Sequence, residues 1–351
     1  MAGKGPTGKI QTVLGPIEPA QLGITLMHEH MLIDTTCYFR ESEYASIRAM
    51  RDMPFYPEMT SRPDGLYNHH LDGARMFDEQ ASTEDVLEFK HVGGSAFVDT
   101  TSVGIGRDPL ALARISRATG LHAIMGCSYY VTDSHPADMD DRTEDQITEE
   151  IITDVIQGVG ETGIKSGIIG EVGNFHPLSA NEVKVLRASG RAQAETGAAV
   201  TIHSGAHDDS PANILDELIE GGADPTRCIL GHLDAAIEDF GALKSLAETG
   251  CFLEYDIFSW EDTGPFVDGI INMPNDGERL SRIAFLIEQG FEDQIVIAHD
   301  ICRKWHMRRN GGKGYAHIID NIVPRMRGMG ITQDQVDKIL IHNPARALTF
   351  S

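Results

Sequence analysis

The chain has 351 residues, of which 41% are hydrophobic and 23% are charged, and it contains 36 glycines. This composition is typical of a globular protein with a sizeable core and excludes a fibrous or largely disordered chain. The 53 acidic residues outnumber the 29 lysines and arginines, which gives a formal net charge of −24. Because this negative field repels nucleic-acid phosphates and anionic lipid, we expect neither nucleic acid nor a membrane as a partner.

The cysteines and the N-terminus indicate the compartment. The five cysteines are odd in number, widely spaced and without a C-x-x-C pair, as expected of reduced thiols. The N-terminus lacks the apolar core that a signal peptide needs, and no later stretch has the run of apolar residues that a membrane helix needs. The sequence therefore predicts a cytoplasmic protein.

Eight short apolar or β-branched runs that end in polar residues alternate with segments of helical period. The predicted strands are Ile24–His30, Ala96–Thr101, Leu121–Tyr129, Gly167–Val172, Ala199–His203, Arg227–His232, Cys251–Asp256 and Gln294–Asp300. The predicted helices are Thr83–His91, Pro109–Thr119, Glu144–Val159, Ala180–Thr196, Pro211–Ile219, Phe240–Glu248 and Gly277–Gln289. Several helices carry local start signals, such as Asp108 before Pro109 and a capping box from Ser82 to Asp85.

Eight strand–helix units without a linker between them predict an α/β fold, a (β/α)8 TIM barrel that forms a single domain over residues 1–351. A doubly wound open sheet is the rival, but no glycine-rich phosphate fingerprint follows the first strand. Residues 31–95 form a connection after strand one that is far longer than usual. Its portion 38–79 has three interpretations, namely a lid, a dimer contact or a surface excursion.

Histidines and carboxylates recur at the same end of five predicted strands. In a barrel, the active site lies at the carboxyl-terminal ends of the strands. The candidate metal ligands there are His28, His30, Glu171, His203, His232 and Asp300.

The spacing of these candidates favours a site for two metal ions. His28 and His30 stand two residues apart, so both imidazoles point to one face of a strand, and Asp300 joins them from the last strand. The histidines that end strands five and six form a second group. Glu171 lies between the two groups, and its two oxygens can bridge two ions. Imidazole-rich ligation favours Zn²⁺, while Mn²⁺, Co²⁺ and Fe²⁺ remain compatible.

Two ions that share a water lower its pKa toward about 7, so hydroxide at neutral pH is the expected nucleophile. Asp300 is the candidate catalytic residue that takes the proton and delivers it to the leaving group. The pattern thus predicts a binuclear metal-dependent hydrolase.

Residues near the expected mouth of the barrel are candidate substrate contacts. They are Tyr130 after strand three, Tyr255 on strand seven and Arg303 after strand eight, with barrel packing as the alternative for the tyrosines. Arg303 and Arg107 can each hold an anionic group through paired hydrogen bonds, and a salt-bridge role is the alternative for Arg107. His299 precedes Asp300 and should point off the pocket face, which favours a structural role.

The motifs that carry these residues resemble the phosphotriesterase family of the amidohydrolase superfamily, in order and over nearly the whole chain. They are Thr25–His30, Gly167–Gly173, Val200–His203, Gly231–Asp234 and Ile297–Asp300. The segments Gly311–Ile318 and Asn343–Arg346 resemble its phosphotriesterase-related, or resiniferatoxin-binding, branch. The resemblance implies a barrel with two divalent ions, usually zinc, a small-molecule substrate and a homodimer.

One departure within this resemblance bears on the substrate. Many phosphotriesterases and lactonases of the family bridge the ions with a carboxylated lysine, whereas this chain places Glu171 there, and Lys165 precedes the strand. A glutamate bridge is typical of branches in which organophosphate turnover is weak or absent. The related branch is linked in mammals to amide hydrolysis of N-acetyltaurine, and other relatives cleave esters or lactones. Together with the predicted two-metal site, the resemblance implies a binuclear metal-dependent hydrolase acting on a carboxyl ester, lactone or amide. Two alternatives stay open: an organophosphate triester hydrolase, and a non-catalytic, metal-stabilised protein that binds a small molecule.

Overall fold

The computed structural model of the protein describes residues 4–61, 68–261, 264–266, 269–271 and 273–351. All eight predicted parallel strands and all seven predicted helices are present, so the α/β class and the (β/α)8 TIM-barrel architecture are confirmed. No helix within these described ranges combines the length and the apolar character needed to cross a bilayer.

The strands follow one another in chain order, with three short antiparallel pairs beside the barrel strands. They are β1 Ile10–Thr12, β2 Gly15–Ile17, β3 Thr25–Glu29, β4 Ile33–Asp34, β5 Arg75–Met76, β6 Ala96–Asp99, β7 His122–Met125, β8 Ile169–Gly173, β9 Val200–His203, β10 Cys228–Leu230, β11 Phe252–Tyr255, β12 Gly264–Phe266, β13 Gly269–Ile271 and β14 Ile295–Ile297.

Helices fill the connections between the barrel strands and continue after the last one. They are α1 Ala45–Arg48, α2 Glu79–His91, α3 Pro109–Thr119, α4 Glu144–Ile156, α5 Ala180–Thr196, α6 Ser210–Glu220, α7 Leu233–Ala236, α8 Phe240–Ala247, α9 Asp276–Glu288, α10 Val323–Gly328, α11 Gln333–Asp337 and α12 Asn343–Leu348. Helix α2 begins one turn before its predicted start, because Asp78 rather than Ser82 caps it and accepts a hydrogen bond from the Ala81 amide.

The eight barrel strands form two parallel sheets that meet at two seams. One sheet has the order β3-β6-β7 and the other the order β8-β9-β10-β11-β14. At one seam the Gly167 amide donates to the Met125 carbonyl over 2.9 Å, and at the other the Asp300 amide donates to the His28 carbonyl over 3.1 Å. The carboxyl ends of all eight strands therefore lie on one rim.

Six of the barrel strands end earlier than predicted, and two of these ends lie at left-handed residues of the candidate site. His232 and Asp300 adopt left-handed backbone conformations, with φ of 58° and 50°. Left-handed residues cannot continue a strand, so β10 stops at Leu230 and β14 at Ile297. The left-handed backbone therefore gives the side chains of His232 and Asp300 directions that they would not have in a regular strand.

Part of the long connection after β3 folds back on itself. Strands β4 and β5 pair antiparallel, with Ile33 opposite Met76, and so close the segment between them into a loop at the rim. The structure places Tyr38 and Asn68 of this loop in the wall of the central cleft. The connection thus contributes directly to the candidate site.

A compact apolar cluster lies inside the ring of strands. Each barrel strand, or the residue just before it, supplies one or two buried side chains, including Met27, Val98, Ile229 and Val296. Ile10 of the β1–β2 hairpin joins the same cluster. Buried hydrophobic side chains of this kind supply most of the folding free energy, so the site at the rim rests on a rigid floor.

A buried arginine ties helix α9 to the end of the sheet. Arg279 is fully buried, and its guanidinium lies 2.9 Å from Asp234 Oδ2 and 2.9 Å from Asp276 Oδ1. It also donates to the Trp260 carbonyl over 2.6 Å. Both carboxylates are themselves buried. Asp276 also contacts His317 at 2.8 Å and Arg325 at 3.7 Å, whereas Arg279 is the one cation paired with Asp234 among the described residues.

We expect Arg279→Leu to lower the free energy of unfolding by about 3–5 kcal/mol, because buried Asp234 loses its cationic partner and buried Asp276 loses one of its partners. Urea unfolding followed by circular dichroism measures this change. Arg114→Leu is the control, since Arg114 pairs with Glu79 on an exposed surface and its loss should shift the midpoint little. An Arg279→Leu protein with the wild-type midpoint would contradict the assigned role.

Candidate functional site

A cleft opens at the carboxyl-terminal rim of the barrel. Its volume is about 780 Å³ including the open mouth. Six of the residues singled out in the sequence line it, namely His30, Tyr130, His203, His232, Asp300 and Arg303. Tyr255 does not line it. A concave site with convergent polar groups at this rim is where barrel enzymes bind substrate.

Glu171 lies at the centre of the candidate metal ligands. Its Oε1 is 3.3 Å from His30 Nε2. Its Oε2 is 3.3 Å from His28 Nε2, 3.2 Å from His203 Nδ1 and 3.7 Å from His232 Nε2. Both oxygens thus face imidazole nitrogens, as the sequence predicts for a shared carboxylate.

Asp300 completes the group from the opposite seam. Its Oδ1 lies 3.1 Å from His30 Nε2, and its side chain is one-tenth exposed. Among the described residues, three sets of three residues each bring their ligand atoms within 4.8 Å of one another. They are His28, Glu171 and His232; His28, His30 and Asp300; and His28, Glu254 and Asp256. The fold therefore brings all six sequence-predicted ligands into one cluster.

The donor set of this cluster fits a divalent cation. His28 Nε2 is buried without a hydrogen-bond partner of good geometry among the described residues. His232 Nδ1 bonds to Asp256 over 2.8 Å, which leaves its Nε2 as a lone-pair donor only 2.6 Å from His203 Nδ1. His30 is held in the same way, by a 2.8 Å bond from Nδ1 to Thr101. Imidazoles oriented through one nitrogen present the other to a metal.

The carboxylates set the protonation of these imidazoles. Burial opposes charge on His30, yet Asp300 and Glu171 raise its pKa to about 9. Burial likewise opposes charge on His28, and the carboxylate of Glu171 raises its pKa well above the usual value. The same pairing holds the pKa of Glu171 well below its usual value against the effect of burial. A cation that binds here therefore displaces protons from the histidines.

Two carboxylates at the end of β11, one in the strand and one directly after it, contact the candidate ligands, and the sequence analysis did not give them this role. Asp256 accepts the His232 amide over 3.0 Å and lies 3.2 Å from His28 Nδ1. Glu254 lies 3.4 Å from the same His28 nitrogen. The available signal was their spacing of two residues at the end of a strand, which places both on one face.

Tyrosines form a second network on the cleft wall. The Tyr38 hydroxyl donates to the Tyr130 hydroxyl over 2.8 Å, and the two hydroxyls lie 3.2 Å and 3.1 Å from nitrogens of His203. Tyr130 stands where a substrate contact was predicted. Tyr38 had no usable sequence signal, because it lies in the long connection and reaches His203 only through the fold.

Tyr255 is placed differently from its prediction. Its side chain is fully buried and lies outside the cleft, because its neighbours Glu254 and Asp256 take the inward positions on β11. Its hydroxyl has no hydrogen-bond partner among the described residues. The structure therefore gives Tyr255 a packing position and no contact with the cleft.

We expect Tyr255→Phe to leave kcat and KM unchanged and to raise the free energy of unfolding by about 1 kcal/mol, since an unpaired buried hydroxyl is removed. The matched variant Tyr130→Phe removes the bonds to Tyr38 and His203 and should lower kcat/KM about tenfold. Steady-state kinetics and urea unfolding of both variants check this contrast. Loss of activity in Tyr255→Phe would return that residue to the site.

Glu29 points away from the cleft and accepts hydrogen bonds from the backbone on both sides of Asp300. Its Oε1 accepts the His299 amide over 2.9 Å, and its Oε2 accepts the Ile301 amide over 3.1 Å. His299 Nδ1 lies 2.7 Å from Glu29 Oε1, and His299 Nε2 accepts the Ile318 amide, so Nδ1 carries the proton. His299 is thus structural, and Glu29 holds Asp300 in its left-handed conformation.

We expect Glu29→Gln to lower kcat about tenfold with KM nearly unchanged, because the amide nitrogen cannot accept a backbone N–H and Asp300 loses its fixed position. Kinetics on a substrate series would measure the split between kcat and KM. A rise in KM as large as the fall in kcat would contradict a positioning role. So would a large decrease of folding stability at the assay temperature.

A (β/α)8 barrel with histidines and carboxylates gathered at its carboxyl rim is the architecture of a barrel hydrolase. A model of the phosphotriesterase family matches residues 8–348 of the chain. The N-acetyltaurine hydrolase of Salmo salar is 40% identical over 347 residues, which cover 98% of this chain and 99% of the relative. The chain belongs to the phosphotriesterase family, as its motifs predict, and it is a hydrolase.

Solved structures agree with this assignment. A resiniferatoxin-binding protein from Rhodobacter sphaeroides superposes with a TM-score of 0.93 at 31% identity, covering 99% of this chain and 98% of that one. A lactonase from Listeria monocytogenes superposes with a TM-score of 0.79 at 26% identity, covering 98% and 99%. The barrel and its rim are therefore shared across proteins named for different ligands and substrates.

Proposed function

We propose that the protein is a two-metal hydrolase that cleaves the amide bond of a small acylated amine. The observation that carries this proposal is the convergence of four imidazoles on the two oxygens of Glu171, with Asp300 beside them. His28, His30 and Asp300 would hold one divalent ion, and His203 and His232 the other, with Glu171 shared. The imidazole-rich set favours zinc.

Bound divalent ions would supply an activated water and polarise the scissile carbonyl. Asp300 lines the cleft, so it accepts the proton of the attacking water and passes it to the leaving amine. Glu29 keeps that carboxylate in place, and Asp256 keeps the His232 ring oriented. Tyr130 and Tyr38 close the cleft wall beside His203 and limit access of bulk water.

The amide is the proposed bond because the N-acetyltaurine hydrolases of Salmo salar and Homo sapiens are 40% and 38% identical over nearly the whole chain. Ester or lactone hydrolysis is the second candidate, supported by the likeness to a lactonase. Organophosphate hydrolysis ranks below both, since Glu171 stands in the place of the bridging lysine.

The test is elemental analysis of protein never exposed to chelator, together with a hydrolysis screen. We expect about two metal equivalents per chain and turnover of N-acetylated amines. A lactone or an aryl ester as the best substrate would replace the amide proposal, and paraoxon as the best substrate would favour the organophosphate alternative. Bound metal without turnover of any of these would favour a binding protein, and absence of metal would reject the ligand assignment.

We further propose a homodimer in the cytoplasm, on the family resemblance and on the reduced cysteines. The described part of the chain contains all five cysteines as free thiols. Burial raises the pKa of the Cys127 and Cys228 thiols to about 12, so both are poorly reactive at neutral pH. Sedimentation equilibrium tests the dimer, and a monomer at micromolar concentration would reject it.

A further inference from the structure

Arg303 is a buried cation in the wall of the cleft. Its residue is 4% exposed, and among the described residues no carboxylate lies within the 4.0 Å of an ion pair. Its one recorded hydrogen bond is long, 3.4 Å from Nη1 to the Thr35 carbonyl, and its Nε has no partner. Because a buried guanidinium is costly without a counter-charge, this arrangement calls for an anion.

Among the described residues, the side chains in contact with Arg303 supply no negative charge. The guanidinium lies 6.0 Å from the centre of the Tyr38 ring and 5.9 Å from that of Trp305, within the range of cation–π attraction. Burial, reinforced by Arg303 itself, holds the pKa of His306 well below its usual value, so that imidazole is neutral. The burial of Cys37 raises the pKa of its thiol to about 11. Arg303 is thus held in place by aromatic contacts, and no anionic group of the described residues pairs with its charge.

Two other arginines of the described chain show how a poorly exposed guanidinium is normally paired with a carboxylate. Arg279, which is also buried, contacts two carboxylates at 2.9 Å. Arg107, with a side chain 9% exposed, pairs with Asp154 at 2.8 Å and takes the salt-bridge role that was its alternative. Arg303 differs from both in that it lines the cleft. Its missing partner therefore has a route of entry from solvent.

We propose that Arg303 binds the anionic head group of the substrate, a carboxylate or sulfonate on a short chain next to the scissile bond. The proposal rests on the proposed function and adds the substrate class, an acylated amine whose amine half carries one negative charge. A guanidinium offers paired N–H donors that match two oxygens of either head group. Arg303 is the only arginine or lysine among the described residues that line the cleft.

The charge distribution is consistent with this assignment. The chain carries a formal charge of −24, which disfavours polyanions at long range. A single buried cation beside the ligand cluster instead selects one small monoanion at contact distance, where burial weakens screening. Because Asp300 and Arg303 line the same cleft, a substrate held by its head group presents its acyl end to the metal-ligand cluster.

Three amides with the same acyl group and the same two-carbon spacer test the proposal. N-Acetyltaurine carries a sulfonate, N-acetyl-β-alanine a carboxylate, and N-acetylethanolamine a neutral hydroxyl. We expect Arg303→Gln to raise KM for the two anions about 10- to 100-fold and to leave kcat/KM for the neutral amide within about twofold. Arg303→Lys keeps the charge but loses the paired N–H donors of the guanidinium, so its KM for the two anions should lie between those of the wild type and Arg303→Gln. The anion that loses more affinity identifies the preferred head group.

Lys304→Gln is the control, because it removes the same charge from the next residue, which pairs with Asp72 and does not line the cleft. It should leave the preference for anions unchanged. An equal effect of Arg303→Gln on all three amides would overturn the proposal.

Calorimetric titration with ethanesulfonate and with propanoate separates this proposal from the proposed function. Both anions should bind the wild-type protein and bind Arg303→Gln at least about tenfold more weakly. If no amide is hydrolysed while this difference holds, the proposed function fails and the anion site stands. If both proteins bind the anions equally, or neither binds them, the anion site is rejected whatever the amides show.

Discussion

Replacement of Asp300 by asparagine is expected to lower kcat about 10²- to 10⁴-fold with KM little changed. The amide keeps the shape of the side chain, but it cannot take a proton from the attacking water or deliver one to the leaving amine. Asp300 is suited to that role because it faces the cleft and contacts His30 at 3.1 Å. Steady-state kinetics on N-acetyltaurine provide the measurement.

The metal content of Asp300→Asn has to be measured in the same preparation, since Asp300 is also a proposed ligand. Full metal content with lost turnover supports the proton role. Loss of metal in step with loss of activity would assign Asp300 to ligation alone. Turnover at the wild-type rate in the fully loaded variant would contradict both roles, and catalysis would then depend on another base.

Glu171→Gln is expected to reduce the metal content from about two equivalents to fewer than one and to lower kcat more than about 10³-fold. The physical reason is that one carboxylate faces nitrogens of four histidines, and an amide offers neither the charge nor the second oxygen to them. Elemental analysis and a zinc titration of both proteins measure the difference.

Glu254→Gln is the matched control for that experiment. Glu254 is as deeply buried as Glu171, but it faces the Nδ1 side of His28, and burial raises its pKa to about 7. Its replacement by an amide therefore removes only part of a charge, on the Nδ1 side of His28 and away from the Nε2 that faces Glu171, and the metal content should stay at the wild-type value. If Glu171→Gln also keeps both equivalents, the two ions do not share that carboxylate.

Several features of the molecule follow from short stretches of sequence. The eight strands and seven helices were recognisable because hydrophobic period and capping residues are local properties. The ligand residues were recognisable because the ends of parallel strands in a barrel must share one rim. Their motifs also identify the family, and the family match over residues 8–348 confirms it.

The geometry of the site depended on contacts that no local pattern reports. His232 and Asp300 have left-handed backbone conformations that the sequence pattern does not predict. Glu29 accepts hydrogen bonds from the amides on both sides of Asp300, which lie in a segment far from it in the chain. The same holds for Tyr38, which reaches His203 across 165 positions.

The sequence by itself determined the barrel, the family and the six candidate ligands, which are Glu171 and the five residues around it, because strand order and strand ends are encoded locally. Only the tertiary structure decided which neighbours those residues have. It turned Tyr255 away from the cleft and Asp256, just after it, toward the candidate ligands. It also left Arg303 buried in the cleft wall with no carboxylate of the described residues within 4.0 Å. Charge compensation is a property of three-dimensional neighbours, so a free cation becomes visible only when the chain is folded.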